Sequence, residues 1–356
     1  MSYTNGLDNP ELYFQTKLYT GNGSTQSITL DGSEDMQPDF VWIKQRNAGS
    51  TYHWLADVIR GVTKYLSSNV SSAEATETTQ ITSFDSDGFS LGNKTNTNDN
   101  SDTYVAWNWK AGTSFTNDAS ATGVGSHDSS GSINTTAGFS IIKYNLSSLG
   151  NPSTVAHGLN AVPKLIIMKN KDANDHWYVY SSAIGNNRYV KLDDNSSQSS
   201  TSTGFMNNTD PTSSVFTQTS TWWGTNNQDV IAYCFAEKQG YSKFFSYEGN
   251  SNSDGTFVYL GFRPAWLMVK PIDDADNWVM FDNKRHNAKN SSTAPYFFYA
   301  NKDFAETTDT KLIDLLSNGF KIRSSGNTVN RSSTFVGIAF AESPFVNSNG
   351  VPNNAR

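Results

Sequence analysis

The chain has 356 residues, a formal net charge of -7, and 17% charged against 13% aromatic side chains. That length supplies about two or three domains with cores of their own, and the composition excludes a coiled coil or a disordered chain. The acidic balance leaves no basic face to neutralise phosphates, which excludes nucleic acid as a partner, and the single cysteine, Cys234, excludes an intrachain disulfide.

In chain order, Met1 to Gly6 carry neither a basic n-region nor an apolar h-region, and no later run reaches the roughly 18 apolar residues of a membrane span. A protein made in the cytoplasm, without signal peptide or membrane insertion, is expected. The first unit, 1–112, opens on an alternating strand from Tyr13 to Tyr19. Pro38 stands 19 positions further on, followed by the apolar run Phe40-Val41-Trp42-Ile43-Lys44 and, ten positions after the lysine, Trp54. Leu55, Val58, Ile59 and Val62 have helical spacing interrupted by Gly61, which predicts a short helix at most. The unit closes on Tyr104 to Trp109, where Val105, Trp107 and Trp109 share a packed face and Ala106, Asn108 and Lys110 a wetter one.

Residues 113–137 are nearly all Gly, Ser, Thr, Asn and Ala, the composition of a linker or extended loop that tethers the first unit loosely to the second. The plan then repeats over 138–239, with Phe139 to Tyr144, Pro163 again 19 positions later, Leu165 to Lys169, Trp177, and Val230 to Ala236. It repeats once more over 240–345, with Tyr241 to Tyr247, Pro264 after 17 positions, Trp266 to Lys270, Trp278, and Phe335 to Ala341. The proline-to-lysine interval is six in every copy, and the tryptophan stands eight after the lysine in the last two, so the first unit carries a two-residue insertion. The joint Phe235 to Tyr241 is short enough for a hairpin that couples the last two units rigidly. Leu312, Ile313, Leu315 and Leu316, stopped by Asn318-Gly319, predict a helical turn over 309–317. Residues 346–356 read as a tail or docking strap. Short alternating runs bounded by Gly, Asn, Ser and Pro give the fold class: all-β, three tandem related β-sandwich units of jelly-roll or lectin-like kind, with few short helical turns and junctions where edges pair or strands are handed across.

None of His53, His127, His157, His176 and His286 stands at metal-ligand spacing from another or from Cys234. His53-Trp54 and His176-Trp177 occupy matching places, but the third unit has Asn277-Trp278 there, so a hydrogen bond at a strand start is the better reading than chemistry. The matched lysines Lys44, Lys169 and Lys270 share no carboxylate neighbour in sequence, and read as strand-end lysines snorkelling to water rather than Schiff-base groups. The runs Asp85 to Gly88, Asp172 to Asp175 and Asp273 to Asp276 resemble fragments of a calcium loop without its closing glutamate, and read as turns. Glutamates are sparse, and no nucleophile elbow, phosphate loop or dinucleotide fingerprint occurs. A non-enzymatic protein with no cofactor and no catalytic or metal residues is therefore expected. The candidate contact is Trp222-Trp223 in a Thr/Asn/Gly loop, suited to stacking on a sugar ring or to anchoring a subunit.

The stretches Tyr19 to Thr25, Pro38 to Lys44, Arg60 to Asn69, Ser83 to Phe89, Ala156 to Leu159, Ala232 to Glu237 and Leu316 to Ile322 together resemble the tandem β-rich repeat proteins of marine bacteriophages, including phages of cyanobacteria. The resemblance runs from about Tyr13 to Phe345. It implies a virion component of a tailed phage, a tail-fibre or other tail- or capsid-associated structural protein, and it brings no catalytic residues with it. Its partners are then other virion proteins, further copies of the chain, and host surface glycans. A lectin-type receptor-binding protein is the second reading, and a polysaccharide depolymerase the third.

Overall fold

The computed structural model describes residues 7–146, 152–200, 205–219, 227–285, 296–308 and 312–352. Its first unit holds β1 (Phe14–Thr20), β2 (Gln26–Thr29), β3 (Phe40–Gln45), β4 (Trp54–Asp57), β5 (Lys64–Tyr65), β6 (Ala75–Thr76), β7 (Ile81–Asp85), β8 (Gly88–Leu91) and β9 (Thr103–Trp109). The second holds β10 (Thr113–Asn117), β11 (Ser129–Asn134), β12 (Phe139–Asn145), β13 (Ser153–Ala156), β14 (Pro163–Asn170), β15 (Trp177–Ser181), β16 (Arg188–Lys191), β17 (Ser199–Ser200), β18 (Val215–Gln218) and β19 (Asp229–Ala236). The third holds β20 (Ser242–Glu248), β21 (Phe257–Tyr259), β22 (Phe262–Pro271), β23 (Val279–Asp282), β24 (Tyr296–Tyr299), β25 (Thr307–Thr308), β26 (Ile313–Leu316), β27 (Gly319–Ile322) and β28 (Thr334–Pro344). Among the described residues, helix is confined to single turns such as Thr95–Asn98, Ala119–Thr122 and Asn327–Asn330.

The internal repeat is structural. The large sheets run β1-β9-β3-β4, β12-β19-β14-β15 and β20-β28-β22-β23 in the three units, and small sheets β2-β8-β7, β13-β18 and β21-β27-β26 accompany them. Each unit is a β-sandwich whose own core includes Ile28, Val41, Ile43 and Phe89 in the first, Ile142, Ile166, Met168 and Phe216 in the second, and Phe245, Leu267, Val269 and Phe320 in the third. The opposite faces of the three large sheets meet in a fourth core common to all units. It brings together Phe40, Trp42, Trp107 and Trp109, Phe139, Ile167, Tyr233 and Phe235, and Trp266, Met268, Ile338 and Phe340. Covering both faces is why the proline-led strands read as unbroken apolar runs rather than alternating ones. The cavity left at the meeting point measures only about 20 Å³ and is lined by apolar and aromatic side chains from all three units.

Several sequence expectations change accordingly. Ala106 and Asn108 are fully buried, so β9 has no wet face; it is sandwiched between two cores. Leu55 lies in β4 and not on a helix, because β4 pairs with β3 and Gly61 turns the chain at a φ of 90°. Leu312 to Leu316 likewise belong to no helix: β26 pairs with β27, with Ile313 and Leu315 buried to either side of the half-buried Asp314; residues 309–311 lie outside the described ones. The stretch 113–137 is no free linker. Its β10 and β11 extend the second unit's sheet beyond β12, and its small residues serve close approach, since a Cβ on Gly131 would stand 1.9 Å from the Ile141 carbonyl oxygen. With one common core, the first two units are not loosely tethered. The joint after β19 is a tight turn, with the Tyr241 and Ser242 N–H groups donating to the Lys238 carbonyl, but it carries the chain into another sheet instead of closing a hairpin. Val346 bridges to Pro352, and the Ser348 N–H donates to the Asp8 carboxylate at 2.7 Å, so the described part of the tail acts as a strap.

Candidate functional site

Strand register aligns the three junctions residue by residue. Lys169 stands opposite Trp177, and the pairs Val269–Val279 and Ile43–Trp54 set Lys270 opposite Trp278 and Lys44 opposite His53. His53, not Trp54, therefore takes the tryptophan place in the first unit, and the insertion there is one residue and not two. Trp54 turns instead into its own sandwich, where its ring lies 3.9 Å from that of Tyr65.

The side chains so aligned all reach into the neighbouring unit. Trp177 Nε1–H donates to the Ser67 carbonyl at 2.9 Å and Trp278 Nε1–H to the Lys191 carbonyl at 2.7 Å. His53 does the same work by a different route. Trp42 Nε1–H donates to its Nδ1 at 2.8 Å, which leaves the proton on Nε2, facing the Tyr299 and Lys302 carbonyls at 3.1 and 3.2 Å. Burial first, and the nearby Lys44 charge next, hold His53 well below the usual histidine range, so the ring is neutral.

The lysines do not snorkel. Lys44, Lys169 and Lys270 are wholly buried, and each ammonium crosses to a carbonyl four residues beyond the one that receives the ring: Asp303 at 3.5 Å, Ser71 at 3.1 Å and Asn195 at 3.3 Å. Their remaining donors go to carbonyls and a hydroxyl of their own turns, among them Gln45 and Thr51, Asn170 and Ala173, and Asp276. Burial pulls all three down to about 8. A third rung is backbone to backbone, from Glu74 N–H to Lys171, Gln198 N–H to Ile272 and Glu306 N–H to Arg46, at 2.7 to 2.8 Å. Each junction thus has the same three cross-unit bonds.

A second device the sequence reading missed is a D-x-x-R spacing. Asp57 and Arg60 form a buried ion pair at 2.6 Å with the Tyr233 hydroxyl of the second unit donating to Asp57 at 2.7 Å. Asp282 and Arg285 repeat it at 2.6 Å, and here Trp107 Nε1–H of the first unit donates to Asp282 at 3.1 Å while the guanidinium sits 4.5 Å from the Phe298 ring centroid. The second unit has Ser181 and Ile184 in those places, both buried and Ile184 part of the common core, so its version of the joint is uncharged. The signal was present as two identical spacings after matched strands; its absence from the middle copy hid it.

The remaining sequence candidates are dispersed. Trp222 and Trp223 lie outside the described residues, as does His286. His157 is clamped between the Leu159 N–H and the Thr212 carbonyl at 3.2 Å each, and burial lowers it to about 4; His176 pairs with Asp193 at 2.7 Å. Among the acidic turns, Asp85 receives the Ser83 and Ser90 hydroxyls, and Asp273 receives the Thr334 N–H at 2.9 Å and the Gln198 amide at 3.0 Å. Among the described residues no three His, Cys, Asp or Glu side chains converge on one point, and no helix is long and apolar enough to cross a membrane. Cys234 is buried in the second unit's core, which raises its thiol to about 12.

Among the described residues, the exposed aromatic side chains concentrate on the third unit, with Tyr52 of the first the exception. Phe257 and Tyr259 of β21 are 43% and 59% exposed, and Tyr259 borders an open groove of about 340 Å³ together with Glu237, Lys243, Gly261 and Phe345. A family model described as "Domain of unknown function (DUF7483)" matches residues 9–344. No curated protein and no solved structure matches the chain.

Proposed function

The chain belongs to the DUF7483 domain family, whose model matches residues 9–344, and we propose that it is a non-enzymatic virion structural protein of a tailed bacteriophage, part of the tail or associated with the capsid. The observation that supports this reading is the use made of the chemistry-bearing side chains. The buried lysines, His53, Trp177, Trp278 and both Asp–Arg pairs are engaged across unit junctions, where they lock three sandwiches into one block. A single chain so built offers three related outer faces at fixed angles, a shape suited to bridging other proteins, and the phage-like sequence phrases supply the setting. Further copies of the chain and other virion proteins are its partners in this reading.

The test is an electron-microscopy reconstruction of the phage particle that encodes the chain, with mass spectrometry of purified particles. Density for three sandwiches around one core, on tail or shell, is the expected result. Particles that contain no copy of the chain would overturn the proposal.

A further inference from the structure

The three units differ in what covers the outer edge of the large sheet. In the second unit the chain covers it itself: β11 pairs along β12, and Phe115 and Ile133 of the β10–β11 hairpin press on Gly158, whose added Cβ would meet them at 2.8 and 3.1 Å. In the first unit a loop lies over β1, the Gly32 N–H donating to Gln15 Oε1 and the Ser33 N–H to the Glu11 carboxylate, both at 2.8 Å. In the third unit β20 ends its sheet, and no described strand pairs with its outer side. The Ala341 N–H donates to the Tyr241 carbonyl; the alternation of an antiparallel ladder then turns the N–H groups of Phe244 and Ser246 outward. Ser246 and Glu248 are exposed along this edge. The counterpart of Gly158, Gly261, lines the open groove beside Tyr259, at the place where the second unit seats Phe115 and Ile133.

The geometry points to a strand-acceptor site on the third unit: the outer edge of β20 with the groove at Gly261 takes an extended segment of another protein. The second unit's own hairpin defines the chemistry of that segment. It has small residues at close-approach positions, as at Gly131, and one aromatic or β-branched side chain that seats over the glycine. The edge is guarded when empty, because Glu237 accepts the Phe244 N–H at 3.3 Å while paired with Lys243 at 2.7 Å. Both partners are partly exposed, and a surface pair of this kind swings aside at little cost. Main-chain hydrogen bonds supply the affinity and the groove the selectivity, as in strand addition to other open sheet edges. This site does not depend on the virion reading.

The experiment uses the full chain and a synthetic peptide of residues 113–134, the chain's own hairpin, as probe. Saturable binding is expected, with hydrogen exchange of the Ser246 amide slowed about tenfold or more at saturation. Ser246→Pro, which removes an outward donor, and Tyr259→Ala, which opens the groove wall, are each expected to weaken binding about tenfold. No saturable binding up to about 1 mM, protection confined to β12, or unchanged affinity in both variants would overturn the assignment. Should Ser246→Pro fail to fold, exchange on the unaltered chain together with Tyr259→Ala decides.

Discussion

At the scale of single residues, the junctions depend on a few nitrogens with no freedom to move. Replacing His53 by Phe leaves the buried Trp42 Nε1–H without an acceptor and takes the imidazole donor from the part-buried Lys302 carbonyl, while the Tyr299 carbonyl keeps the Lys302 N–H. Unpaired buried polar groups cost about 1–3 kcal/mol each, so chemical denaturation of His53→Phe should show a loss of roughly 2–4 kcal/mol. The lysines make stability depend on pH. Below about 8 each is protonated whether folded or not; between about 8 and the ordinary 10.5 the unfolded chain holds more protons, so stability rises with pH across that window. Buried Tyr144, Tyr233, Tyr241 and Tyr247 act oppositely, because burial raises them well above 10 and the unfolded chain then loses protons that the folded one keeps. Urea unfolding followed from pH 7 to 11 should therefore show a maximum near pH 10, and a Lys44→Met, Lys169→Met, Lys270→Met series should flatten the rising limb. A flat profile in the unaltered protein would count against buried, titrating lysines.

Among elements, the repeat shows which features of a junction are interchangeable. The hairpins β3–β4, β14–β15 and β22–β23 each present a ring nitrogen and an ammonium to a neighbouring unit, although one ring is imidazole and two are indole. The Asp–Arg pairs behave differently, since the second unit does without one. Arg60→Ile alone strands the Asp57 carboxylate in a buried place and should cost about 3–5 kcal/mol. The double change Asp57→Ser with Arg60→Ile copies the Ser181 and Ile184 arrangement and should recover much of that loss. A double-mutant cycle by calorimetry checks this; a double variant less stable than the single one would show that the apolar version of the joint works only in its own setting. The hairpin β10–β11 carries a related lesson, because a stretch rich in Ser, Gly and Thr looks like a linker by composition yet closes a sheet edge. Small side chains permit both, and only the pairing partner decides between them.

For the molecule as a whole, one core serves three units. Burying a large apolar side chain is worth about 1.5–3 kcal/mol, and the common core draws such residues from every unit, so no unit keeps its stability when the other two are removed. Calorimetry of the full chain should give a single transition with matching calorimetric and van't Hoff enthalpies. A fragment of residues 113–239, which keeps the β10–β11 hairpin with its sheet, would expose Phe139, Ile167, Tyr233 and Phe235 of the common core to water and should fail to fold as a monomer. Three resolved transitions, or a stable monomeric fragment, would mean that the units are independent.

Local patterning by itself determined that this is an all-β protein with three related units, because alternation, turn residues and a fixed proline-to-lysine spacing are properties of neighbouring positions. It also placed the strands that end in tyrosine and the strands that close each unit. Only the tertiary structure decided that the lysines are buried, that His53 replaces a tryptophan, and that β9 has no wet face. Those outcomes depend on what another unit brings to the far side of a sheet, and a strand covered on both sides carries no mark in its own sequence of which neighbour covers it.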